Sequence, residues 1–238
     1  MNNAIVTRAV LAFVAVLAFA ISPLLFANFS GWEPSRFPVE IARHPIQPAG
    51  YAFSIWGLIY LALVVHGAFG LFARRESAEW DAVRLPLIIA AAIGFVWMPI
   101  ANASPLWGTL TIWPMAAAAL SAFVLADTGQ DRWLLSGPLA IFAGWMSAAA
   151  CVSTGVFLGG YGVLAPSTAA WLMVAVMLVI AISVQRFKPA QPLYGLTVIW
   201  ALVGVVVANW ADTMNVVLGA SLGILLMAAT VVMALRGR

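Results

Sequence analysis

Eight stretches of about twenty mostly apolar residues, joined by short polar connections, leave this chain few ways to fold. They run over 9–29, 51–73, 85–103, 106–126, 133–158, 166–185, 192–210 and 213–235. A helix of that length crosses the hydrocarbon core of a bilayer and satisfies its own backbone polar groups while doing so. Only 8% of the residues are charged, where a soluble domain carries about 25%. So few charges cannot cover a water-facing surface, and lipid must be the main solvent. The expected fold is all-α: a polytopic transmembrane helical bundle of about eight helices, with no soluble domain of any size.

The connections agree with this layout. Asn102, Ala103, Ser104 and Pro105 divide the third stretch from the fourth, and proline disfavours helix in the residue before it, so a tight hairpin is expected there. The longest connection, 30–50, holds Pro34, Pro38, Pro45 and Pro48 and reads as irregular or extended. Arg8 and the apolar run behind it resemble a signal peptide, but the run continues to Phe29, interrupted only by Ser22 and Pro23. A retained first helix is expected.

Charge placement orients the bundle. With the N-terminus in the cytoplasm, Arg8, Arg74, Arg75, Arg84, Arg132, Arg186, Lys188, Arg236 and Arg238 fall inside. Arg36 and Arg43 fall outside. Basic residues favour the cytoplasmic face, so this asymmetry supports an even number of spans in an inner (plasma) membrane, with both termini cytoplasmic. The net charge of +3 reflects these basic loops, and no nucleic-acid partner is expected.

The apolar stretches exclude several functions. His66 is the one clearly intramembrane ionisable side chain, too little for a proton- or sodium-coupled pump. The single lysine, Lys188, lies in a loop, which excludes a retinal Schiff base. The single cysteine, Cys151, permits neither an intramolecular disulfide nor a cysteine metal cluster. No paired carboxylates, zinc-site spacing or phosphate loop stands out, so a non-catalytic role is favoured over an enzyme, with a remote constellation left open.

Tryptophan is abundant, with 11 residues. Trp32, Trp80, Trp107, Trp133 and Trp210 lie near predicted helix ends and read as interfacial belt residues. Trp56, Trp97, Trp113, Trp145, Trp171 and Trp200 lie deeper. Of these, Trp56, Trp97, Trp113 and Trp171 fall in the half away from the cytoplasm, where they either line a pocket for a flat apolar ligand or pack against one another. Trp56, Tyr60, Leu63 and Gly67 share one face of the second helix. His66 lies off that face and reads as a structural histidine before a metal ligand. Gly155 with Gly159, and Gly219 with Gly223, permit close helix approach and weakly indicate an oligomer.

Three segments are similar to one known family. Pro48 followed by Trp56-Gly-Leu-Ile-Tyr60 resembles the start of the second helix of the translocator proteins, also called tryptophan-rich sensory proteins. Trp97-Met-Pro99 resembles their third helix, and Gly144-Trp145-Met-Ser-Ala-Ala their fifth, in the same order. The resemblance covers roughly 5–160. It implies a five-helix core over 1–160 followed by three additional spans over 161–238. Two family asparagines are replaced, by Gly94 and Ser153, and the cholesterol motif after the fifth helix is missing.

The resemblance further implies an intramembrane pocket under the first loop that takes porphyrins and other apolar molecules. Trp56, Tyr60, Trp97 and Trp145 become ligand-binding candidates, with Phe53 and Ser153 behind them. The expected function is a membrane ligand-binding or sensory protein. Its partners would be lipid, a hydrophobic small molecule such as a tetrapyrrole, another apolar pigment or a lipid, and a second copy in a homodimer. No catalytic residue, metal or obligatory cofactor is expected. A transporter of a small apolar or zwitterionic solute, using Asn209, Asp212 and Asn215, stays open, as does a non-catalytic subunit of a larger complex.

Overall fold

The computed structural model describes residues 3–26, 29 and 31–236. Ala27, Asn28, Ser30 and Arg238, which enter the expected first span, first loop and basic count, lie outside the described residues. Eight helices follow in order: α1 (Asn3–Leu25), α2 (Ile55–Phe72), α3 (Ala78–Ala103), α4 (Pro105–Leu125), α5 (Ser136–Gly160), α6 (Pro166–Phe187), α7 (Leu193–Asn209) and α8 (Met214–Arg236). Among the described residues there is no strand. Among the described residues, seven helices are long and apolar enough to cross a membrane. The eighth, α7, has 17 residues and reaches about 25 Å, the lower edge of a span.

The largest departure from the hydropathy reading is at α3, which starts at Ala78 rather than at 85. Ser77 caps it: the Ser77 hydroxyl oxygen accepts from the backbone N–H of Trp80 at 3.4 Å, and Glu79 and Asp81 occupy the first turn. Negative charge at a helix N-terminus is favourable, so these polar turns are helical although they are not apolar. The expected hairpin between α3 and α4 narrows to Ser104 alone, whose side chain accepts from Trp107 N–H, with Pro105 in the first turn of α4.

The helix α5 stands at the centre, touching α2, α4, α6 and α7. Its composition explains the position. Between lipid-exposed helices there is no water to expel, so association depends on close van der Waals packing, which small residues allow. The helix is rich in Gly, Ala and Ser, and 67% of its most apolar window is buried, against 22% for α1. At Gly144 a Cβ would stand 2.7 Å from the carbonyl oxygen of Tyr194, so the backbones of α5 and α7 meet directly there.

The two glycine pairs expected to mark an oligomer face are both occupied within the chain. Gly155 and Gly159 receive Ile46 and His44, while Gly219 and Gly223 receive Trp171 and the side chains of Leu178 and Leu202.

The segment 31–54 folds over one end of the bundle as a lid. The N–H of Val39 donates to Gly160 O at 2.9 Å, and that of Ala49 to Gly204 O of α7 at 2.9 Å. The Asn209 amide donates to Pro45 O at 2.7 Å, and the Trp200 indole to Ala52 O at 3.0 Å. On the opposite side, the Trp32 indole donates to Ala101 O at 2.8 Å, and Arg36 donates to Asn102 O.

Charged residues pair at the other end of the bundle. Arg84, only 3% exposed, donates to Ile5 O, Gly70 O, Arg74 O and Arg75 O and to Asp81, which also pairs with Arg8. Arg74 pairs with Asp131 at 2.7 Å. Arg74 and the Trp80 indole hold the Asp131 carboxyl below the usual carboxylate range.

Candidate ligand cavity

A cavity of about 320 Å³ lies under the lid, within the aromatic wall formed by α1–α5. Phe53, Trp56, Tyr60, Trp97, Trp145 and Ser153 all line it. Four of the rings form a continuous surface. Trp56 stacks on Tyr60 at 5.4 Å, one turn further along α2, and meets Trp145 of α5 edge-on at 6.2 Å. Phe53 meets Trp145 edge-on at 5.8 Å. Such offset and edge arrangements suit the quadrupoles of aromatic rings.

Phe19 of α1 ties this surface to the bundle. Its ring lies 5.9 Å from Trp56, 5.1 Å from Tyr60 and 5.7 Å from Phe142. Gly94 makes room for it: a Cβ there would stand 2.5 Å from Phe19 Cε2 and 2.8 Å from the terminal methyl of Met115. The position aligned with a family asparagine therefore has no space for a side chain, because a phenylalanine from α1 occupies it. The Ser153 hydroxyl is 3.0 Å from that of Thr109, so the second replaced asparagine contributes a short, already paired hydroxyl.

The polar atoms around the cavity divide into two sets. The Trp97 indole donates to Gly108 O at 3.0 Å, and Trp32 and Ser153 have the partners given above. The Trp145 indole N–H, on a residue 3% exposed, is buried without an acceptor among the described residues. Every lining residue is uncharged, and among the described residues no cluster of three metal-ligating side chains exists.

Several sequence expectations resolve differently. Trp113 and Trp171 share the depth of Trp56 but face elsewhere: Trp113 donates to Thr154 Oγ1 at 3.0 Å, and the Trp171 ring seats on Gly219. Position along a helix fixes depth, not direction around the axis. Trp107, Trp133 and Trp210 are exposed, as belt residues are, but Trp80 is 2% exposed. Its ring stacks on His66 at 4.8 Å, and its indole donates to Asp131. Trp32 is half-buried and lines the cavity. His66 is structural, with Nδ1 2.9 Å from Leu134 O. Asn209 is buried on the lid, whereas Asp212 and Asn215 are exposed, so these three form no polar pathway.

Sequence reasoning missed Phe19, Gln47, Met98, Met115 and Met146, which also line the cavity. Phe19 carried no distinguishing signal, since it sits in a uniformly apolar helix. Gln47, a polar residue amid the prolines of the first loop, was a visible one.

The sequence model of a family described as TSPO-like protein matches residues 4–233. No curated protein and no solved structure matches the chain. The match runs from the first turn of α1 into the last turn of α8, so α6, α7 and α8 lie within it, beyond the 5–160 over which the motifs were recognised. With eight apolar helices and that match over nearly its whole length, the chain is an integral membrane protein and belongs to the TSPO-like protein family.

Proposed function

We propose that this protein binds a flat hydrophobic molecule, such as a porphyrin, in the cavity beneath the lid, and that binding serves a sensory or carrier role with no covalent step. The observation that carries the reading is the aromatic wall: Phe53, Trp56, Tyr60 and Trp145 present ring faces and edges to one cavity. Ligand sites are typically concave, largely apolar and about 300–1,000 Å³ in volume, with a few polar groups that set orientation. This cavity has that character. The basic residues favour an orientation with both termini in the cytoplasm and the lid on the opposite face of an inner membrane.

The test is titration of the purified protein with a porphyrin in mild detergent, followed by tryptophan fluorescence. Quenching should saturate. Replacing Trp145 or Trp97 by alanine should raise the dissociation constant by about tenfold, the expected cost of one lost aromatic contact. Unchanged affinity in both variants would remove the cavity as the site.

A further inference from the structure

Among the described residues, four side chains around the cavity each offer a donor that has no acceptor. The Trp145 indole N–H is buried with no acceptor. Trp56, in ring contact with Trp145, and Tyr60, stacked on Trp56, form no side-chain hydrogen bond among the described residues. The fourth is Gln47: its oxygen accepts from His44 N–H at 3.1 Å, while its amide nitrogen, beside Gly31, has no acceptor among the described residues. An indole offers only a donor, and an amide whose oxygen is engaged offers its two N–H groups. Two carbonyls near the cavity, Ala101 O and Gly108 O, are already engaged by Trp32 and Trp97. A buried donor without an acceptor costs the desolvation of that group, and a ligand acceptor recovers it. Among the described residues no cationic side chain lines the wall, so a carboxylate brought there would lose its hydration without gaining a counter-charge.

We infer that the ligand of this cavity is an uncharged, flat molecule carrying hydrogen-bond acceptors such as carbonyl, ester or ring-nitrogen groups, held by the cluster of donors on Gln47, Trp56, Tyr60 and Trp145. The inference rests on the function proposed above and narrows it: a tetrapyrrole with free carboxylates is a poor occupant and its neutral ester a good one.

The test compares protoporphyrin IX with its dimethyl ester. Both are titrated against the full chain in detergent, with partition into empty micelles subtracted, and then against Trp56→Phe, Tyr60→Phe and Trp145→Phe, which keep a ring and remove the donor. The ester should bind about tenfold or more tightly than the diacid. At least two of the three variants should weaken the ester by about three- to tenfold, the range for one hydrogen bond. Circular dichroism and the elution profile of each variant report whether it folds. Diacid binding as tight as the ester, or ester affinity unchanged in the three folded variants, overturns this inference and leaves the aromatic pocket standing. If neither compound binds, the proposed function falls and this inference falls with it.

Discussion

The two ends of this bundle differ in how they hold their buried polar side chains. At the end where α2 turns into α3 the charged network is densely paired: Arg84 donates to four carbonyls and Asp81, Arg74 pairs with Asp131, and even the Trp80 indole is engaged by that carboxylate, while Arg132 Nε and Gln191 Oε1 beside it are buried without a partner among the described residues. At the lid end, the Trp145 indole and both His44 ring nitrogens are buried without partners among the described residues. Unpaired buried polar groups are rare in folded proteins and call for a cause. The paired end resembles a structural fastening, and the unpaired end resembles a site whose partner is supplied from outside. The contrast suggests that stability and binding are separable in this molecule, and substitutions can break or sharpen that view.

The largest effect is expected at the paired end. Arg84→Met leaves Asp81 with one cation instead of two and removes the guanidinium donor from four carbonyls. Removing one partner from a buried ion pair typically costs about 3–5 kcal/mol. The variant should unfold at much lower temperature or denaturant concentration, while the fraction that remains folded still quenches with porphyrin. A stable Arg84→Met protein that has lost binding would reverse the assignment of the two ends.

Next comes the seating of the lid. Gly160 lies under Phe37, and a Cβ there would stand 2.4 Å from the ring. Gly160→Ala must therefore displace the lid or bend the end of α5, at about 1–3 kcal/mol for overpacking. The expected readout is faster proteolysis or hydrogen exchange within 31–49 and weaker ligand binding, with the α2–α3 end unaffected. Asn209→Ala is milder. It deletes one donor to Pro45 O, worth about 1 kcal/mol, and should loosen the same segment without moving the helices. Protection of 31–49 unchanged in both variants would show that the lid is held by something other than these contacts.

The fold was legible because lipid imposes so strong a rule: each run of apolar residues becomes a helix, and short loops then place neighbours side by side. The hydropathy pattern was blind to the first turns of α3, whose helicity comes from the Ser77 cap and an acidic first turn. The shared cavity of Trp56, Tyr60, Trp97 and Trp145 was legible through motif order alone. Periodicity gave the face of α2 but not what faces it. The seating of the lid was not legible, because it depends on which glycines of α5 and α7 lie beneath Phe37, His44, Ile46 and Pro48. Those contacts join residues more than a hundred positions apart, and no local pattern encodes them. Trp80 failed for a similar reason: a tryptophan at a helix end faces lipid unless a histidine and a carboxylate from other segments take its two sides.

The smallest effect concerns His44. Its ring lies against Phe37 at 5.6 Å and beside Gly159 of α5, where a Cβ would stand 3.1 Å from Nδ1. Neither neighbour offers a charge, and the ionisable residues nearest in the chain, Glu40 and Arg43, are exposed. Burial alone pushes the imidazole below its ordinary value of 6.5. The closed lid therefore binds fewer protons at this site than an open lid, in which the ring is hydrated. Opening becomes easier as pH falls. The stabilisation is complete above about pH 6.5 and is progressively lost below it, toward the depressed value. Asp131 works in the same sense, with a depressed carboxyl whose contribution fades only at much lower pH. Hydrogen exchange in 31–49, compared at pH 7.5 and 5.5 after correction for intrinsic rates, should therefore show more opening at the lower pH. The increase should be smaller than that caused by Asn209→Ala, since only local opening is needed to return the ring to water. In His44→Phe the pH dependence should disappear, because the ring still fills the space over Gly159 and no longer titrates. Equal pH dependence in wild type and His44→Phe would assign it to other groups, and the two unpaired nitrogens at the lid would then need a different cause.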